Sequence, residues 1–125
     1  MPVRKKPSPP RLQAAPLARL PWLVHAFSTR KDGSLGFTEE AAPAVVRRNR
    51  AKFVQGLLGG KGKAPELVTL KQIHSDLIHR VDAPPKAGLQ GDGLITNVPG
   101  LALSIQTADC LPILLVDPKH RAIGA

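Results

Sequence analysis

The sequence predicts an α+β or mixed α/β fold, a mixed sheet with few helices. One segment, Pro43 to Leu58, keeps helical spacing of its apolar residues, while about six short apolar runs follow it, each bounded by Pro, Gly, Asn or Asp. No internal repeat is visible. At 125 residues the chain has room for one domain with a modest core. Hydrophobic residues make up 42% but aromatics only 3%, with no Tyr, so that core must be built from Leu, Val, Ile and Ala.

Residues 1–21 hold six prolines and a run of Arg and Lys, a composition expected to give a disordered, basic, Pro-rich tail ahead of a domain over residues 22–125. Trp22 to Ser28 reads as a first strand, followed by a loop through Asp32-Gly33 and Gly36. In the helical segment Pro43 suits the first turn and Gly59-Gly60 ends it. Val46, Phe53, Leu57 and Leu58 form its apolar stripe, and Arg47, Arg48, Arg50 and Lys52 lie on the other face. Lys61 to Pro65 connects to the strand-rich half. Its expected strands are Leu67 to Gln72, Leu77 to Asp82, Gly93 to Asn97, Leu101 to Thr107, Pro112 to Asp117 and a start at Arg121 to Ala125.

The net charge of +9 is uneven. Residues 1–63 carry thirteen Lys and Arg against three acids, and residues 64–125 carry five against six. A basic half can attract nucleic acid or a small anionic ligand, but the near absence of aromatic stacking platforms makes a nucleic-acid module the weaker reading. No apolar run approaches the roughly 20 residues of a membrane span, and no uninterrupted apolar stretch marks a secretory signal, so a cytoplasmic setting is expected.

The stretch Thr107-Ala108-Asp109-Cys110-Leu111-Pro112 holds the only cysteine, between two apolar runs. A lone thiol cannot form an internal disulfide, which leaves core packing, metal binding or nucleophilic chemistry. His74, in Lys71-Gln72-Ile73-His74-Ser75, is expected at a strand end facing a cleft. Together His74 and Cys110 suit either a Cys-His nucleophile pair, as in a hydrolase, or two corners of a zinc site. A catalytic zinc takes three protein ligands and an open position; His25, His79 and His120 are the internal candidates for the third, none with a compelling setting. Asp109 can orient a ligand or bind a substrate hydroxyl or amine, and turn formation is the competing explanation for it and for Asp92.

Several segments in order, His25-Ala-Phe-Ser-Thr-Arg30, Asn49-Arg50, Gln72-Ile-His74-Ser, Gly91-Asp92-Gly-Leu-Ile-Thr96 and Thr107-Ala-Asp-Cys-Leu-Pro-Ile-Leu-Leu-Val-Asp117, resemble the laccase-domain family over residues 22–125. The resemblance implies the cysteine-hydrolase-like laccase-domain fold. It also implies purine nucleoside phosphorylase activity, with phosphorolysis of adenosine, inosine and methylthioadenosine, and adenosine deamination. The substrates would then be purine nucleosides and phosphate. It implies a zinc ion, with copper as the other metal proposed for the family, held by His74 and Cys110 and by a histidine opening a His-Ala-Gly-Trp-Arg-Gly motif. That motif would follow Ile123-Gly-Ala125, so a truncated domain, an incomplete metal site and poor stability are expected of these 125 residues. Arg30 and Arg50 are the expected anion contacts for substrate, alongside Asp109. After Thr29-Arg30 the family usually has a Gly-Gly pair, where this chain has Lys31-Asp32-Gly33.

Overall fold

The computed structural model describes residues 12–59 and 62–125. It divides into two compact units, Met1–Gly62 and Lys63–Ala125. The first carries twelve Lys and Arg against three acids and the second six against six, so the basic excess belongs to the first.

In the first unit, residues 1–11 of the expected tail lie outside the described residues. From Leu12 onward the chain is not the extended tail expected of it. Leu12 pairs with Phe27 in an isolated antiparallel bridge, and Ala15–Ala18 form a helical turn, α1, with Pro16 in its opening positions. The expected strand from Trp22 to Ser28 reduces to that bridge, because a strand needs a continuous neighbour and among the described residues Leu12 alone pairs with it. Arg30–Asp32 form a 3-10 turn. The helix α2 (Pro43–Leu57) matches the expected segment, and Val46 and Val54 are buried on one face while Phe53, Leu57 and Leu58 are half-buried.

The second unit is built from eight short strands: β1 (Glu66–Val68), β2 (Leu70–Lys71), β3 (Ile78–Arg80), β4 (Leu89–Gln90), β5 (Gly93–Thr96), β6 (Leu101–Leu103), β7 (Leu115–Asp117) and β8 (Ala122–Gly124). They form a four-stranded sheet in the order β3-β5-β8-β7, with β3 parallel to β5 and the other pairs antiparallel. Two parallel pairs, β1 with β6 and β2 with β4, complete the set. The mixed sheet with few helices is therefore as expected. Its strands are shorter than the apolar runs that announced them. The run from Leu67 to Gln72 breaks at Thr69, since β1 and β2 pair with different partners.

Val68, Val81 and Leu94 form the core, surrounded by Leu70, Leu89, Leu101 and Leu103. These aliphatic side chains come from β1, β2, β4, β5, β6 and the end of β3, so one small cluster joins all three sheets. Thr96 is buried among them without a polar penalty: its hydroxyl donates to the Val81 carbonyl at 2.6 Å and accepts the Val98 N–H at 3.1 Å. The opposite side of the four-stranded sheet leaves Ile78, Ile95 and Leu115 exposed.

Candidate active site

His74 sits in the short connection between β2 and β3, and Gly91-Asp92-Gly93 stitches that connection together. Gly91 N–H donates to the Lys71 carbonyl at 3.1 Å, while the N–H groups of Asp92 and Gly93 both donate to the Leu77 carbonyl, at 3.0 and 3.1 Å. Both ends of the loop are thus pinned. A side chain at position 91 has no room: a Cβ there would lie 3.0 Å from the Leu77 carbonyl oxygen and 3.1 Å from the His79 ring, on a backbone with φ of +155°.

Held in this way, the Asp92 carboxylate receives four donors from the His74 turn. Oδ1 accepts the His74 N–H at 3.0 Å; Oδ2 accepts the Ile73 N–H at 3.2 Å, the Ser75 N–H at 2.8 Å and the Ser75 hydroxyl at 2.6 Å. The Ser75 hydroxyl first, and then the backbone N–H groups, hold the Asp92 carboxyl down at about 2 against the opposing effect of desolvation. His74 itself is exposed and has φ of +56°, the left-handed region that non-glycine residues seldom occupy.

Gln72, two residues before His74, ties this turn to the segment that carries Cys110. Its side-chain Nε2 donates to the Gln106 carbonyl at 2.7 Å, and its Oε1 accepts the Gln106 N–H at 2.8 Å. Both amide groups are therefore matched to one backbone residue. Ser104 N–H also donates to the Val68 carbonyl at 3.0 Å, so the chain beyond β6 stays fastened to β1 before reaching Gln106. Cys110 is free and exposed, and Asp109 beside it is exposed too. Neither His74 nor Cys110 lies at a strand end: β6 stops at Leu103 and β7 starts at Leu115, which leaves Cys110 on an irregular stretch over 104–114.

The other histidines make local contacts. His79 Nε2 donates to the Gln90 carbonyl at 2.7 Å, and His120 Nδ1 meets Asp117 Oδ2 at 2.7 Å in the β7–β8 turn. His25 is buried, with Nε2 2.9 Å from the Ala14 amide nitrogen. Among the described residues, no group of three or more His, Cys, Asp or Glu side chains is placed to hold a metal ion. The imidazole of His74 and the thiol of Cys110 are donors of the type zinc takes; a catalytic zinc needs a third protein donor.

In the first unit the expected anion-binding arginines differ. Arg30 is exposed at the start of its 3-10 turn, where Thr29 N–H donates to Asp32 Oδ2 at 2.8 Å and the Thr29 hydroxyl accepts the Lys31 N–H at 3.3 Å. The Lys31-Asp32 departure from the family pattern thus makes its own capped turn. Arg50 is half-buried: its Nε donates to the Leu35 carbonyl at 2.6 Å and its guanidinium lies 4.6 Å from the Phe37 ring centre. Burial pushes its pKa down, and it stays cationic at any physiological pH. Asn49 donates to the Ser34 carbonyl at 3.0 Å and packs so close to Gly33 that a Cβ there would lie 2.7 Å from its Nδ2. Asn49 and Arg50 therefore clamp the loop over residues 33–37.

A sequence profile described as multi-copper polyphenol oxidoreductase laccase matches residues 25–125. The chain belongs to this laccase-domain family. A purine nucleoside phosphorylase of Deinococcus radiodurans is 37% identical over 120 residues, which cover 88% of this chain and 46% of the relative. One of Mycobacterium tuberculosis is 40% identical over 86 residues, covering 66% of this chain and 32% of the relative. A crystal structure of a Neisseria meningitidis protein described as DUF152 superimposes with a TM-score of 0.60 at 30% identity, over 72% of this chain and 35% of that one. The laccase-domain chain thus spans less than half the length of these relatives. The sequence left Asp92 open between a ligand-orienting and a turn-forming role; its four bonds to residues 73–75 were beyond the reach of local spacing.

Proposed function

We propose that this chain carries part of the active site of a purine nucleoside phosphorylase, acting on adenosine, inosine or methylthioadenosine with phosphate and also deaminating adenosine. The observation that carries the reading is the Gln72–Gln106 pairing, which fastens the His74 turn to the segment leading to Cys110 in a chain whose relatives are named purine nucleoside phosphorylases. His74 and Cys110 would hold zinc, or copper in its place; when bound, the metal supplies a Lewis acid and an activated water for deamination. Among the described residues no group of three such donors is placed to complete that site.

In phosphorolysis a phosphate oxygen bonds to the ribose anomeric carbon as the bond to the purine nitrogen breaks. The purine departs with the electron pair and takes up a proton, leaving ribose 1-phosphate. The carboxylate of Asp109, exposed beside Cys110, is suited to a substrate hydroxyl or amine. Arg30, exposed and cationic, is suited to phosphate. Arg50 supports the loop over residues 33–37 through its contacts with Leu35 and Phe37.

The test is to assay the protein, extended through the family's His-Ala-Gly-Trp-Arg-Gly segment, with inosine or adenosine plus phosphate, following release of base and ribose 1-phosphate. His74→Ala and Cys110→Ala are expected to abolish turnover and metal uptake, and Arg30→Ala to raise the KM for phosphate. Cys110 of the metal-loaded protein should resist alkylation until chelator is added. Turnover that survives both His74→Ala and Cys110→Ala would end the reading.

A further inference from the structure

We propose that Asp92 is the positioning residue for His74, and that the left-handed backbone of that histidine exists because one carboxylate collects the donors around it. The proposal rests on the reading of His74 as a site residue. A non-glycine residue with positive φ is costly on its own and persists where its surroundings overdetermine it. Here three successive backbone N–H groups, from Ile73, His74 and Ser75, converge on the two oxygens of Asp92, and the Ser75 hydroxyl adds a fourth donor. Three N–H groups can face one carboxylate only if the backbone curls around it, and the His74 φ of +56° is that curl.

The carboxylate is itself fixed from behind. Asp92 and Gly93 donate their N–H groups to the Leu77 carbonyl, and Gly91 donates to Lys71, so Asp92 cannot follow the loop if the loop relaxes. The imidazole is left exposed, while the backbone N–H of the same residue is held by Asp92. Asp92 thus acts on the site without touching substrate: it sets the direction in which residue 74 offers its ring. Supporting contacts of this kind, one step removed from the reacting groups, are typically worth a factor of about 10–100 when removed.

The experiment compares the 125-residue protein with Asp92→Asn, Asp92→Ala and Ser75→Ala by NMR. The intraresidue NOE between the amide and α protons of residue 74, strong only where positive φ brings the two protons close, reports the sign of its φ, and hydrogen exchange at residues 73–75 reports the hydrogen bonds. Methyl signals of Val81 and Leu94 serve as the fold control. Expected in Asp92→Ala is a weakened intraresidue NOE at His74, as for ordinary negative φ, with exchange at residues 73–75 faster by about tenfold or more, as befits lost bonds to a charged acceptor. Asparagine keeps one acceptor oxygen and should give intermediate values; Ser75→Ala, which retains the carboxylate, should give the smallest change and covers the case of an Asp92→Ala protein that does not fold. In the phosphorolysis assay Asp92→Asn should lower kcat by about 10–100-fold with little change in KM for phosphate.

An unchanged NOE and unchanged exchange in folded Asp92→Asn and Asp92→Ala would overturn the proposal, whatever the activity. Extended wild-type protein without turnover, beside Asp92 variants that do release His74, would instead remove the phosphorolysis reading and leave the positioning role standing.

Discussion

The His74 turn and the Cys110 segment come from motifs of the same family, yet the structure treats them differently. The turn is enclosed: its backbone donors end on Asp92, and its two ends are pinned to the Gly91-Asp92-Gly93 backbone. The Cys110 segment is fastened near its start, by Gln72 to Gln106, and beyond that point Leu111, Ile113 and Leu115 are 83%, 61% and 65% exposed. One motif residue is therefore organised by its own half of the sheet. The other is reached through Gln106, which a side-chain amide holds after Ser104 has bonded to β1. The contrast teaches that a local motif in sequence carries no guarantee of local organisation; what matters is whether a distant residue supplies the partners.

Changes on the enclosed side should cost most. Gly91→Val would press a side chain against the Leu77 carbonyl and the His79 ring, and a loss of about 3 kcal/mol in urea unfolding is expected. Gln72→Ala comes next, because it removes both bonds to Gln106 at about 0.5–1.5 kcal/mol each. Hydrogen exchange at Gln106 should rise in that variant while residues 73–75 stay protected; equal loosening of both regions would erase the contrast. On the open side, Leu111→Ser should change stability by less than about 0.5 kcal/mol.

The smallest effect concerns the β7–β8 turn. The His120 ring, and secondarily its backbone N–H, holds the Asp117 carboxyl below the usual carboxylate range. A lowered carboxyl contributes stability above its unfolded pKa and loses it as pH falls through the lowered folded value. His120→Ala should therefore fall off less steeply in acid unfolding below about pH 4. An unaltered acid limb would show that this turn contributes nothing.

Much of this arrangement was legible in the sequence. Helix α2 begins at Pro43 as its proline and apolar spacing imply, and ends one residue early, at Leu57. The aliphatic core follows directly from a composition poor in aromatics. Strand ends were harder, since a strand stops where its neighbour stops: β6 ends at Leu103 because β1 offers register only to Val68. That is why Cys110 lies farther from the sheet than the apolar run to Thr107 implied. The two-residue β4 has too little periodicity to be visible. Asp92 was ambiguous for a related reason: its partners lie 17 to 19 residues away, and only the folded chain brings them to its carboxylate.

That separation has a consequence for synthesis on the ribosome. When His74 leaves the exit tunnel, the residue that shapes it is 18 positions behind, and the anchor for Gln72 is 34 positions behind that glutamine. Chain elongation at roughly 5–20 residues per second gives the nascent turn a second or more without its carboxylate. The histidine therefore acquires its left-handed geometry only after Asp92 has emerged, well behind the helix of the first unit.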